Sequence, residues 1–136
     1  MVRIIQVPNS GGDVRGDSFT LPREAMEFVG EVKDFHIATI VPAAVRGDHF
    51  HLRRLEVLVV LYTDSWRFYW DEGAGAVIKS TAFNGAGTTA ILIEPGHSHA
   101  VENLGASSLI FCSLSSEPYD PSESVTRVVS SQRPPN

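Results

Sequence analysis

Apolar residues along the chain fall into short runs separated by Gly, Pro, Asn and Asp, a pattern typical of an all-β fold. The runs predict strands at residues 3–7, 35–41, 48–51, 55–62, 66–70, 76–83, 88–94, 99–104 and 107–113. Strong turn signals, Asn84-Gly85 and Pro95-Gly96 among them, lie between the predicted strands. Only residues 22–29 are compatible with a helical turn, so the sequence predicts a β protein with little helix.

The run at residues 55–62 is unusual because apolar residues occupy both of its alternating faces. These residues are Leu55, Val57, Val59 and Leu61 on one face, and Leu58, Val60 and Tyr62 on the other. A strand of this kind is covered on both sides. In a chain of 136 residues this indicates a β-barrel or a two-sheet sandwich with a covered outer face. We expect a second copy of the chain, in a homodimer, to provide that cover.

Composition excludes several classes of protein. Hydrophobic residues make up 43% of the chain and charged residues 20%, which suits a single globular domain. A net charge of -5 without a long basic run argues against nucleic-acid binding. The single cysteine, Cys112, excludes an intramolecular disulfide and a cysteine-based zinc framework. No apolar run approaches the ~20 residues that span a bilayer and no secretory signal is recognisable, so we expect a cytoplasmic protein without a membrane partner.

The end of the chain differs in composition from the rest. Residues 115–136 are rich in Ser, Pro and charged residues. Such a composition is typical of an arm or of partial disorder. We therefore expect a β-barrel with an N-terminal strand or arm over residues 1–114 and a partly disordered C-terminal arm over residues 115–136.

Four of the five histidines form two His-x-His pairs, His49/His51 and His97/His99. On a strand, the first pair lies on one face with about 6.6 Å between its members. Glu56 has the opposite parity, so it can join them only if a bulge or kink lies between residues 52 and 55. Three imidazoles and a carboxylate would suit Zn, Fe, Mn, Ni or Co. The alternative is that these are ordinary surface or core histidines.

Two stretches resemble the two sequence motifs of the cupin superfamily. Residues 46–56 contain two His one residue apart followed by Glu, and residues 95–103 contain Gly, two residues, His, three residues and Asn. The resemblance covers residues 35–114 and implies a cupin (jelly-roll) β-barrel of two antiparallel sheets. It also implies one divalent transition metal (Zn, Fe, Mn or Ni), with the ligands His49, His51, Glu56 and His99. His97 then becomes a rim residue.

Arg46-Gly47-x-His49 resembles the signature of sugar-nucleotide cupins, which include epimerases, ketoisomerases and the C-terminal cupin of capsular polysaccharide assembly proteins. The segment Glu117-Pro118-Tyr119-Asp120-Pro121 favours the last group, and residues 13–19 are similar to an epimerase motif. The resemblance implies an epimerase or isomerase of polysaccharide biosynthesis. Its substrate would be a nucleotide-linked 4-keto-6-deoxy sugar, deprotonated beside the ketone.

The same resemblance suggests roles for individual residues. His49 aligns with the base of the epimerases, but a metal-bound imidazole has no free lone pair, so its role as base or ligand stays open.

Tyr62 is our candidate general acid, with Tyr69 and Tyr119 as alternatives. Candidate substrate-binding residues are Arg46, His97 and Trp70. The aromatic stripe of Trp66, Phe68 and Trp70 could stack on a sugar or base, but such a stripe more often forms core or dimer interface, and we favour core. Arg53 and Arg54 are expected at the surface, and His36 and Cys112 are expected to be structural.

Two other functions fit the same residues. A dioxygenase could use the four ligands on Fe or Mn, with an open position for oxygen. A non-catalytic cupin could bind a metal or a small ligand. The choice rests on analogy, because one fold supports many chemistries.

Overall fold

The computed structural model describes residues 1–130 and has ten strands and one α-helix in that range. The elements are β1 (Arg3–Gln6), α1 (Arg23–Val29), β2 (Asp34–Ile40), β3 (Val45–His51), β4 (Glu56–Tyr62), β5 (Trp66–Trp70), β6 (Lys79–Phe83), β7 (Gly87–Ile93), β8 (His99–Asn103), β9 (Leu109–Ser115) and β10 (Ser124–Thr126). A 3-10 turn at Pro121–Glu123 precedes β10. The all-β fold class is confirmed.

The strands form two five-stranded antiparallel sheets. Sheet one has the order β1-β7-β4-β9-β2, and sheet two has the order β10-β3-β8-β5-β6. The main core lies between the sheets, where alternate residues of facing strands meet. Its largest fully buried side chains include Trp66, Phe68, Ile40 and Ile91. This is the jelly-roll barrel that the sequence predicts.

The outer face of sheet one is covered in part by the chain's own helix. Ala25 and Val29 of α1 pack in one cluster with Val57, Ala90 and Leu92. The second apolar face of β4 is therefore covered at its start by α1 rather than by a second subunit. Towards the other end of β4 that cover is missing, because Leu61 is 52% exposed.

A bulge at Gly47 and Asp48 shapes β3. The pairing with β8 shifts between Gly47 and His49, and Asp48 has a φ of 58°. Gly47 has a φ of 108°, and a Cβ there would lie 2.5 Å from the carbonyl oxygen of His99, so only glycine fits. A bulge or kink is expected between residues 52 and 55. The structure has a larger change than a kink at this place, because the chain crosses there from sheet two to sheet one.

Residues 121–130, which we call the C-terminal segment, pack against the barrel. Strand β10 pairs with β3, and the Asp48 carboxylate accepts hydrogen bonds from the backbone N–H groups of Val129 and Ser130 at 2.9 Å. Arg127 donates to Asp71 and to the carbonyl oxygen of Gly96. The partly disordered arm is expected over residues 115–136, and the last six of these, residues 131–136, lie outside the described range. Within residues 1–130, no helix is both long enough and apolar enough to cross a membrane.

Candidate active site

A cavity of about 540 Å³ opens between the two sheets at one end of the barrel. Sheet two contributes residues of β3 and β8, and sheet one contributes residues of β2, β4 and β9. Residues 119–121 and Ser124 line its mouth. The cavity combines a polar group of side chains with an apolar floor, which is the usual form of a small-molecule site.

Three imidazoles form the centre of this cavity. The ring centroid of His49 lies 5.0 Å from that of His51 and 5.1 Å from that of His99. His49 pairs directly with His99 across β3 and β8, and His51 lies two residues further along the same face of β3. The bulge at Gly47 sets the register in which His49 lies opposite His99. The alternation of residues along β3 then places His51 on the same face, so a pattern over a few residues accounts for the cluster.

Glu56 reaches the imidazoles from the opposite sheet. Its Oε2 lies 3.2 Å from His51 Nε2, and its Oε1 lies 3.3 Å from His99 Nε2. The second ring nitrogen of His99, Nδ1, donates to the backbone carbonyl oxygen of His97 at 3.1 Å. These contacts fix the His99 ring through both of its nitrogens.

Burial and neighbouring charges shift the pKa values of these groups in different directions. Burial opposes the ionisation of Glu56, but its contacts with His51 and His99 outweigh burial and hold its pKa well below the ordinary value. Burial also disfavours charged His99, yet Glu56 raises the pKa of that imidazole. Burial, followed by the charges of His99 and His51, lowers the pKa of His49 to about 4. His49 is therefore a neutral imidazole at neutral pH, beside a carboxylate that favours the protonated form of His99.

Glu123 is a site residue that the sequence analysis missed. It is 0% exposed, its Oε1 lies 3.4 Å from His51 Nδ1, and its Oε2 accepts a hydrogen bond from Arg54 Nε at 3.2 Å. Arg54 is buried, which corrects its expected surface position, whereas Arg53 forms an exposed ion pair with Asp120. The one local signal was Asp120-Pro121, whose Asp caps the 3-10 turn that carries Glu123.

Of the candidate substrate-binding residues, one lies at the cavity. Arg46 lines the opening, and its Nε donates to the carbonyl oxygen of Thr39 at 2.7 Å. His97 and Trp70 are not among the residues that line the cavity. His97 acts on the site through its backbone oxygen, and Trp70 packs into the core with its ring centroid 5.4 Å from that of Phe68.

The candidate acid Tyr62 lies far from the histidines. It is six residues from Glu56 on the same strand, which corresponds to about 20 Å. Its hydroxyl is hydrogen-bonded to Gln6 Nε2 at 3.0 Å, and its ring packs on Trp66.

Tyr69 donates to Glu102 Oε1 at 2.7 Å, away from the cavity. Among the three tyrosines only Tyr119 lines the cavity, at its mouth, where it is 73% exposed.

Comparisons with known proteins agree with this fold. Residues 13–127 match the family model of the polysaccharide biosynthesis C-terminal domain, so the chain belongs to that family of cupin-type barrels. A search of curated proteins gave no match.

Three solved structures illustrate the similarity. A sugar 3,4-ketoisomerase from Thermoanaerobacterium thermosaccharolyticum, in complex with TDP, is 18% identical over 91% of this chain and 86% of its own, with a TM-score of 0.70. A dTDP-6-deoxy-D-glucose-3,5-epimerase from Legionella pneumophila is 17% identical over 92% of this chain and 71% of its own, with a TM-score of 0.72. The capsular polysaccharide assembling protein from Staphylococcus aureus is 17% identical, with a TM-score of 0.63, and this chain spans 27% of it. The likeness confirms the cupin fold.

The predicted divalent transition metal (Zn, Fe, Mn or Ni) is wrong. The sugar epimerases and ketoisomerases to which the chain is similar act without a metal cofactor. The structure gives the same side chains contacts with one another, since the Glu56 carboxylate lies 3.2 Å from His51 Nε2 and 3.3 Å from His99 Nε2. The four side chains do come together, but their assignment as metal ligands no longer applies.

Proposed function

We propose that this protein is an enzyme that epimerises or isomerises a nucleotide-linked 4-keto-6-deoxy sugar. The observation that carries the proposal is the position of His49. Its neutral imidazole faces the cavity beside the pair formed by His99 and Glu56, and Arg46 lies at the opening. The neighbours that are described as sugar epimerases and ketoisomerases support the same chemistry.

The proposed reaction begins with proton transfer to His49. The C–H bond beside the C4 ketone breaks, its proton goes to the imidazole, and its electron pair moves towards the carbonyl to give an enolate. Glu56 favours the protonated form of His99, and a protonated imidazole at this position would stabilise the developing oxyanion. Return of a proton to the same carbon from the other face completes epimerisation. In isomerisation, the adjacent hydroxyl gives up its proton and becomes the new ketone, while the former carbonyl carbon takes up a proton and its oxygen is protonated to a hydroxyl.

Arg46 is proposed to hold the diphosphate. Its Nε is engaged by the Thr39 carbonyl, which orients the guanidinium at the cavity opening. A guanidinium in a fixed orientation suits bidentate contact with phosphate oxygens. The sugar would then extend inwards towards His49, with the nucleoside outside the cavity.

The test is proton exchange in D2O with TDP-4-keto-6-deoxyglucose. We expect deuterium at the carbons beside the ketone and a change of configuration or of ketone position, both unaffected by prior dialysis against EDTA. A panel of TDP-, UDP- and GDP-linked 4-keto sugars covers the choice of nucleotide. Binding without exchange across the whole panel would favour a non-catalytic ligand-binding cupin and contradict the proposal.

We also propose that the protein is a homodimer formed through β2. Within residues 1–130, β2 pairs only with β9, so its other edge is free. Phe35, Ile37, Leu61 and Ile110 form an exposed apolar surface that spans β2, β9 and β4. Antiparallel pairing of two β2 strands would continue the sheet and bury both surfaces around a two-fold axis.

Sedimentation equilibrium tests the dimer. The wild-type protein is expected to be dimeric, and Ile37→Lys to be monomeric. Val14→Lys is the matched control, because Val14 is fully exposed at a loop away from this surface. A wild-type monomer at micromolar concentration, or an unchanged dimer in Ile37→Lys, would rule out this interface.

A further inference from the structure

The wall of the cavity opposite the histidines is also polar, although the inner face of a barrel sheet is ordinarily apolar. The inward positions of β2 include Asp34 and His36, and the neighbouring inward position of β9 is Ser113; all three line the cavity. The sequence predicts a structural role for His36. Its position in the cavity wall requires another explanation.

Ser113 provides the strongest signal in this wall. Its side chain is 6% exposed, and its Oγ has no hydrogen-bond partner among residues 1–130. A buried hydroxyl without a partner is destabilising, so such groups are uncommon in folded proteins. A hydroxyl that faces a cavity in this state is available to a ligand that enters it.

Strand register places this serine close to the reacting groups. Ser113 pairs across β2 and β9 with His36, which brings their Cβ atoms within about 5 Å of one another. On β4, Glu56 pairs with Ser115, two residues along the same face of β9. A ligand held by Ser113 and His36 therefore lies beside Glu56 and opposite His49.

The charge of the wall selects the type of ligand group. The carboxylates of Asp34 and Glu56 line the same side of the cavity and would repel a phosphate. A serine hydroxyl and an imidazole can each donate or accept a hydrogen bond, which suits a neutral sugar hydroxyl. The apolar floor, formed by Ala38, Leu58, Val101 and Phe111, suits the less polar part of a deoxy sugar.

We propose that Ser113 and His36 form a specificity subsite that binds a ring hydroxyl of the sugar. This inference rests on the proposed function, since it assumes a nucleotide sugar in the cavity. The subsite acts on the sugar alone, while Arg46 acts on the diphosphate. The two contributions can therefore be separated by comparing TDP-4-keto-6-deoxyglucose with TDP.

The experiment is calorimetric titration of wild type, Ser113→Ala and His36→Ala with both ligands. Each variant is expected to bind TDP-4-keto-6-deoxyglucose about fivefold to tenfold more weakly than wild type, as expected for one lost hydrogen bond, and to bind TDP equally well. Thr88→Val is the matched control. Thr88 is likewise buried with an unpartnered Oγ1, but it lies outside the cavity, so its replacement leaves both affinities unchanged.

Thermal unfolding tests whether a loss of binding in a variant results from misfolding. Ser113→Ala is expected to unfold at the same temperature as wild type or higher, because the hydroxyl it removes has no partner in the free protein. Equal binding of the sugar nucleotide by wild type and both variants would overturn the subsite. Failure of the wild-type protein to bind either ligand would instead overturn the proposed function.

Discussion

The two ends of the barrel are built from the same strands but are filled in opposite ways. Strand β4 connects them, since Glu56 lies at the cavity end and Tyr62 at the other. At the far end, Trp66 stacks on Phe83 with centroids 4.2 Å apart, and Tyr62 packs on Trp66 at 5.5 Å. We call these the histidine end and the aromatic end.

The difference shows how one fold separates stability from chemistry. Aromatic rings bury large apolar areas and pack in fixed geometries, so the aromatic end holds the two sheets together. The histidine end leaves space and gathers charged groups whose mutual contacts keep them buried. Substitutions at the two ends should therefore have different effects on activity and on stability.

The largest expected effect is on activity at the histidine end. His49→Ala removes the proposed base and should lower the rate of deuterium exchange by about 10²–10⁴-fold, with a melting temperature close to that of wild type. His97→Ala is the control from the second His-x-His pair, because its side chain lies outside the cavity. Equal exchange rates in wild type and His49→Ala would remove His49 from the mechanism.

The next effect is on stability at the aromatic end. Trp66→Ala leaves a cavity in the fully buried core and should lower the free energy of unfolding by about 3–5 kcal/mol, as measured in urea. The exchange rate per folded molecule should stay near that of wild type. A selective loss of activity, with stability unchanged, would contradict the division between the two ends.

A smaller effect is expected from the ion pair that holds the C-terminal segment at the histidine end. Burial opposes ionisation of Asp71, but hydrogen bonds from Arg127, Ser98 and Gly73 outweigh burial and keep its pKa below the ordinary value. Asp71→Asn should lower the free energy of unfolding by about 1.5–3 kcal/mol at pH 7.

This stabilisation should depend on pH in a defined direction. Because the folded pKa of Asp71 is lower than the unfolded value of about 3.9, the contribution is complete above that pH and is lost as the pH falls through the folded pKa. The difference in stability between wild type and Asp71→Asn should therefore shrink below about pH 4. A constant difference from pH 7 to pH 2 would disagree with this account.

The smallest effect is expected at Tyr62. Tyr62→Phe removes the hydrogen bond to Gln6 and should lower the free energy of unfolding by about 0.5–1.5 kcal/mol without changing the exchange rate. The comparison with Trp66→Ala uses the same unfolding assay. Loss of exchange in Tyr62→Phe with intact folding would restore the tyrosine to the reaction.

The sequence pattern predicts the strands and the histidine cluster well, because both depend on alternation over a few residues. His49 and His51 share a face for this reason, and β4 was recognised from its apolar runs. Alternation assigns a residue to a face but not to an end of the barrel. Tyr62 has the same parity as Glu56 and yet lies about 20 Å away.

Glu123 is a buried residue that the local sequence pattern does not predict. Its burial depends on Arg54, which is 69 residues away in the sequence, and on His51. The residues immediately around it, 120–124, are Asp, Pro, Ser, Glu and Ser, with no apolar residue to indicate a buried position. Long-range electrostatic partners of this kind have no local sequence signature, so the segment was predicted to be an arm.

The docking of the C-terminal segment also determines when the site forms during folding. The contacts of Glu123 with Arg54 and of Ser130 with Asp48 join residues separated by 69 and 82 positions. The pairings of β1 with β7 and of β2 with β9 join residues up to 89 and 81 positions apart, so sheet one closes loops of similar length. Strand β10 is only three residues long and, within residues 1–130, pairs only with β3 at the edge of sheet two, so the two sheets can assemble before it adds. We therefore expect refolding to restore sheet structure first and the complete cavity last.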